Sequence, residues 1–135
     1  MVHGPHQPRG PAGGLIFGEE TFQIRAAVFE VNRVMGAGFL EAVYQECLGL
    51  EFAARQIPFA ASRPLKLSYK GRDLRQTYVP DFVCFDRIIV ELKALREVAT
   101  EHRAQVLNYL KASGLKVGLL VNFGSAPARI ERLVG

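Results

Sequence analysis

The chain has 135 residues, 49% of them hydrophobic, and 17 Lys+Arg against 13 Asp+Glu give a formal net charge of +4. That length suits one domain, no apolar run approaches the ~18–20 residues of a membrane span, and the start lacks the apolar segment of a secretory signal. Two cysteines, Cys47 and Cys84, make neither a disulfide framework nor a metal-type cluster, so a cytoplasmic protein with reduced thiols is expected.

Residues 1–14 are rich in Pro and Gly and read as a disordered tail, with His3 and His6 too loosely spaced for a metal site. Residues 15–135 are expected to form one domain. From Glu20 a helical period begins, with Phe22, Ala26, Phe29, Val31 and Val34 as its expected core positions and Gly36 as its stop. A second helix follows from about Phe39 to Arg55, with Leu40, Val43, Cys47, Leu48 and Phe52 as the buried stripe. The link Gly36-Ala37-Gly38 is short, so the two helices should pair tightly.

Past Pro58 the pattern turns to β. Leu65, Leu67 and Tyr69 alternate with polar residues, and Arg72 to Tyr78 reads as a polar, edge-like return strand. Asp81–Phe85 and Ile88–Leu95 are two further strands. Thr100 can cap a third helix running to about Ala112, closed by Gly114. Lys116–Phe123 is a buried strand, and Ala128–Val134 alternates as one more. The expected order is α-α-β-β-β-β-α-β-β, a mixed sheet with helices on its faces. The strand–helix–strand passage favours a parallel pair within it.

One strand is anomalous. Ile88, Ile89, Val90, Leu92 and Leu95 mark it as buried, yet Glu91 and Lys93 interrupt it on a shared face. Buried charge is costly unless paired or coordinated, so the two residues either pair with each other or serve a site. The neighbouring strand begins with Asp81. If the hairpin centres on Asp86, with Phe85 to Arg87 as the loop, Asp81 falls opposite Glu91 and on its face. A two-residue loop of Asp86-Arg87 would send Asp81 to the other side. Two adjacent carboxylates suit a hard divalent cation, Mg²⁺ or Mn²⁺. Lys93 beside them suits the developing charge of phosphodiester hydrolysis.

The run Pro80-Asp81, nine residues, then Glu91-Leu92-Lys93 resembles the PD-(D/E)XK signature of restriction-like nucleases. Gly38-Phe-Leu-Glu41-Ala-Val-Tyr44 is similar to the motif that names the GxxExxY group assigned to that superfamily. The segments Gln105 to Lys111, with Tyr109, and Gly118 to Gly124 also resemble that group. The resemblance spans about Phe22 to the C-terminus and implies an α/β, restriction-endonuclease-like fold with a mixed central sheet flanked by helices. It further implies that Glu41 completes a metal set with Asp81 and Glu91, and that Gln105 points at the site. From the residues alone, Glu41 reads as a solvated helix glutamate. Tyr44 reads equally as a packed aromatic or a functional one, and His102 as an exposed first-turn histidine.

The expected function is therefore Mg²⁺- or Mn²⁺-dependent hydrolysis of nucleic acid, DNA in the first instance. Asp81, Glu91, Lys93, Gln105 and Glu41 form the catalytic set. Lys66, Lys70, Arg72, Arg75, Arg96 and Arg103 are candidate phosphate contacts, which position a substrate without specifying it. The rival expectation is a catalytically silent nuclease fold kept for nucleic-acid binding or for assembly as a homo-oligomer, through the edge strand at Arg72–Tyr78 or the alternating chain end.

Overall fold

A computed structural model describes residues 15–135; the tail read over 1–14 lies outside the described residues. Two helices open the fold, α1 (Gly18–Met35) and α2 (Glu41–Ala54). The strands β1 (Phe59–Ala61), β2 (Leu65–Tyr69), β3 (Arg72–Tyr78), β4 (Phe82–Cys84) and β5 (Ile88–Lys93) follow. Helix α3 (Thr100–Ser113) then leads to β6 (Val117–Asn122) and β7 (Arg129–Val134). The expected order holds with one correction, the short strand β1, which sequence reasoning passed over. Three residues after Pro58 are too few to show a period. They become a strand only because β4 offers Val83 as a partner for Ala60.

Five strands make the central sheet in the order β1-β4-β5-β6-β7, while β2 and β3 form a separate two-stranded hairpin. The β5–β6 pair, joined through α3, is parallel; the other neighbours in the sheet are antiparallel. This is the mixed α/β sheet of a restriction-endonuclease-like fold. No helix among the described residues is long and apolar enough to cross a membrane.

Alternation along β5 and β6 divides the interior in two. Ile88, Val90 and Leu92, with Val117, Leu119 and Val121, face α1 and α2 and join Ile24, Val28, Leu48 and Phe52 in the main core. Ile89 and Leu120 point the other way, to Leu67, Tyr78, Val106 and Leu110 of the hairpin and α3. Gly118 lets α3 lie close, since a Cβ there would stand 3.0 Å from Val106.

The helical stripes differ from expectation. Helix α1 buries Thr21, Ile24, Ala27, Val28 and Val31, leaving Phe22, Phe29 and Val34 exposed at 66%, 44% and 62%. Helix α2 buries Tyr44, Leu48 and Phe52, while Leu40 lies outside it and is exposed. Helix α1 carries apolar residues around most of its circumference, so composition does not say which stripe the sheet will cover.

Candidate active site

The hairpin between β4 and β5 decides where the acids go. Cys84 pairs with Ile88, Val83 with Ile89 and Phe82 with Val90, so the loop is the three residues Phe85, Asp86 and Arg87. Phe85 and Asp86 both adopt left-handed backbone (φ 55° and 58°), and Arg87 N–H donates to the Cys84 carbonyl at 3.1 Å. Such conformations cost about 1 kcal/mol or more each in non-glycine residues. Tertiary contacts offset that cost. Phe85 packs on the main core and its N–H donates to the Pro58 carbonyl at 2.9 Å, while Asp86 pairs with Arg63 at 3.0 Å.

Extending this register by one residue sets Asp81 against Glu91. The two are locked crosswise: Asp81 N–H donates to Glu91 Oε1 at 2.8 Å, and Leu92 N–H donates to Asp81 Oδ2 at 2.8 Å. Lys93, two residues beyond Glu91, shares its face and lies close enough to oppose protonation of Asp81, Glu91 and Glu41.

Burial is the main force on these acids. It raises Asp81 above the ordinary carboxylate range against the opposing Leu92 N–H. Glu91 is pushed up to about 7, first by burial and then by the Asp81 charge. The Tyr78 hydroxyl lies buried beside Glu91 and is itself raised by burial and by that carboxylate, without a hydrogen-bond partner of good geometry among the described residues. Two partly desolvated carboxylates that repel each other form a site short of positive charge.

Glu41 opens α2 and is exposed. Its carboxyl is raised by partial burial and by Asp81, against Lys93 and His102. It therefore stands at the margin of the site rather than in a closed cage, and among the described residues no three His, Cys, Asp or Glu side chains converge as metal-binding groups do. Gln45, one turn along α2, donates to the Asp81 carbonyl at 3.4 Å. Gln105 is exposed on α3, with no hydrogen bond to the acids. His102 Nδ1 accepts from Ala99 N–H at 2.9 Å, capping α3, so the first-turn histidine is partly buried and structural as well as near Glu41.

Tyr44 is fully buried and packs flat on Phe123, with ring centroids 4.4 Å apart. Its hydroxyl donates to the Gly36 carbonyl at 2.6 Å and accepts from Phe39 N–H at 3.2 Å. It clamps the turn between the helices, in which Gly38 needs its left-handed φ of 109°. Tyr109 stacks on Tyr78 at 3.7 Å, bracing the β2–β3 hairpin against α3. Of the basic residues, Lys66, Lys70, Arg72 and Arg75 ride that exposed hairpin, with Lys66 within 3.3 Å of Asp73. Arg96 and Arg103 line a cleft of about 720 Å³ beside the acids.

Two residues that sequence reasoning left without a role matter here. Tyr78 is the one aromatic in a strand whose only other apolar residue is Leu74, which is its only signal. Asn122, buried at the end of β6, holds both backbone groups of Leu95: its Oδ1 accepts from Leu95 N–H and its Nδ2 donates to the Leu95 carbonyl, each at 2.9 Å. Gly124 N–H also donates to that Oδ1, and any side chain at Gly124 would collide with the Leu95 backbone. This clamp fixes the chain two residues after Lys93.

A family model for the PD-(D/E)XK nuclease superfamily matches residues 18–133 of the chain. No curated protein matches it.

Proposed function

Because the chain belongs to the PD-(D/E)XK nuclease superfamily, we propose that it is a divalent-metal-dependent nuclease of the GxxExxY type, cutting phosphodiester bonds of DNA. One observation carries this reading: Asp81 and Glu91 are crosswise-bonded neighbours on one face, with Lys93 beside them.

The donor set fits Mg²⁺ or Mn²⁺. Both carboxyls are raised by burial, and Glu91 by its neighbour as well, so a cation relieves what the protein leaves unbalanced. Two carboxylates are also what Mg²⁺ commonly takes from a protein, with the remaining positions filled by water and substrate phosphate. Asp81 and Glu91 would hold the ion, with Glu41 reaching it from α2. When bound there it supplies Lewis acidity toward a phosphoryl oxygen.

The chain's own residues do the rest. The Lys93 ammonium hydrogen-bonds the attacking water and the phosphoryl oxygens, where negative charge grows in the transition state. The water gives one proton to solvent as its oxygen bonds to phosphorus, the bridging P–O bond breaks, and the departing oxygen gains a proton from solvent. Tyr78 and the apolar residues behind Glu91 keep bulk water from that side, which strengthens every charge interaction within. Gln105 positions water or substrate from α3. The hairpin bearing Lys66, Lys70, Arg72 and Arg75 takes backbone phosphates at the rim.

A second reading, a homo-oligomeric or purely binding module, is supported by the exposure of six of the seven β3 residues, an edge open to another chain. Incubating the protein with Mg²⁺ or Mn²⁺ and single-stranded, duplex or branched DNA tests both. Cleavage lost in Lys93→Ala supports the nuclease. Absence of cleavage on every substrate, together with a large particle by light scattering, overturns it in favour of assembly.

A further inference from the structure

Beyond the acids, the same face of the sheet continues across two more strands. Lys93 pairs with Asn122, and Asn122 pairs with Arg129. Directly paired residues share a face, so Lys93, Asn122 and Arg129 form a row across β5, β6 and β7. Two strand spacings of about 4.8 Å set the Lys93 and Arg129 backbones roughly 10 Å apart. One step below, Glu91 pairs with Leu120 and Leu120 with Glu131.

Leu120 and Asn122 are also the floor of the 720 Å³ cleft, whose walls include Arg96, Arg103, Arg129 and Glu131. The cleft is thus the lateral extension of the acidic site, one strand over. Its charges are not equivalent. Glu131 is occupied by Arg103, receiving Nε at 2.7 and 2.8 Å and Nη2 at 2.7 Å. Arg96 and Arg129 are exposed and have no carboxylate within ion-pair distance among the described residues. With the Asn122 amide committed to Leu95 and the Ser125 hydroxyl to the Pro127 carbonyl, the groups left to meet a ligand are the guanidinium forks of Arg96 and Arg129 and the exposed Glu97 carboxylate, two positive charges against one negative. Forks of this kind favour phosphate through paired N–H donors.

We propose that this cleft binds the sugar-phosphate backbone of the nucleic-acid strand flanking the scissile bond, with Arg129 and Arg96 as the phosphate-contacting residues and Arg103 held in place by Glu131. The inference rests on the phosphodiester reading of the adjoining acids. It adds to that reading the surface that holds the strand: phosphates beyond the one cleaved lie in the cleft, and a lone diester leaves it empty.

The double variant Arg96→Gln/Arg129→Gln separates the two claims, with Arg33→Gln on the far helix as a control for charge alone. Binding of a fluorescent oligonucleotide is read by anisotropy across a salt series, and hydrolysis of bis(p-nitrophenyl) phosphate reports on the acids without using the cleft. Expected are about tenfold or greater weakening of oligonucleotide binding and a salt slope reduced by about one to two, with diester hydrolysis unchanged. Wild-type affinity in the double variant, equal weakening by Arg33→Gln, or no oligonucleotide binding by the wild type overturns the cleft. Weakened binding with no diester hydrolysis by any form keeps the cleft and removes the proposed activity instead.

Discussion

Asp81 and Glu91 each accept a backbone N–H from the opposite strand, Glu91 from Asp81 itself and Asp81 from Leu92, both at 2.8 Å. The two acids therefore do the work of ladder partners just before β4 begins, where β5 continues past it. Each carboxylate is held by the backbone that carries or adjoins the other, so neither can turn away without breaking a bond to its neighbour's strand. Such crossing fixes two like charges close together, an arrangement that needs a reason beyond stability.

Glu91 should make the metal-free protein sensitive to pH. Its folded pKa of about 7 lies above the ordinary 4.5, so the fold holds this proton more tightly than the open chain does. The stabilisation is complete below about pH 4.5 and is lost as pH rises through about 7. Each 1 kcal/mol moves Tm by roughly 3–6 °C in a domain of this size. Thermal scans without metal should show a decline between pH 5 and 8 that Glu91→Gln lacks and that millimolar Mn²⁺ offsets. A wild-type decline no steeper than that of Glu91→Gln would count against the buried, repelled carboxylate.

Strand register is the next lever. Deleting Val83 with the Phe85-Asp86-Arg87 loop kept leaves Cys84 opposite Ile88 but brings Asp81 opposite Val90, which turns it to the other face. Hydrolysis should fall by at least ~10²-fold, the scale expected when a charge-stabilising group is lost, with secondary structure kept by circular dichroism. Asp86→Gly, which relieves the left-handed φ, should raise stability by about 0.5 kcal/mol after loss of the exposed Arg63 pair. Denaturant titration measures it.

Tyr44 is expected to serve the fold. Tyr44→Phe keeps the stack on Phe123 but orphans the Gly36 carbonyl and Phe39 N–H, costing about 1–3 kcal/mol. Activity per folded molecule should stay within about twofold, because the hydroxyl faces the helix turn and not the acids. A hundredfold loss with unchanged stability would assign the hydroxyl to the chemistry.

Asn122→Ala should behave differently. It releases both backbone groups of Leu95, and with them the segment that follows Lys93. Stability should drop by about 2–4 kcal/mol for two broken, partly buried bonds. Hydrolysis of even a small diester should fall as well, since the amine is no longer fixed beside Asp81 and Glu91. Gly124→Ala, which drives a methyl into the Leu95 backbone, should reproduce both effects.

Much of this was legible along the chain because it is local. The alternation of Leu65, Leu67 and Tyr69, the unbroken apolar run at Val117–Asn122 and the glycine stops at Gly36 and Gly114 follow from dihedral preference and side-chain period, which neighbours in sequence carry themselves. The conflict of Glu91 and Lys93 within a buried strand is local too, and so is the mirror arithmetic that sets Asp81 opposite Glu91 through a three-residue loop. Tertiary structure decided the remainder. Which stripe of α1 is buried depended on the sheet laid against it, and hence Phe22 and Val34 lie outside. β1 exists only as a partner for β4. Tyr78 beside Glu91, Asn122 on Leu95 and the row from Lys93 to Arg129 join segments 13 to 36 residues apart. Those proximities arise from strand pairing and packing, whose energy is shared among distant residues and leaves no period in the chain.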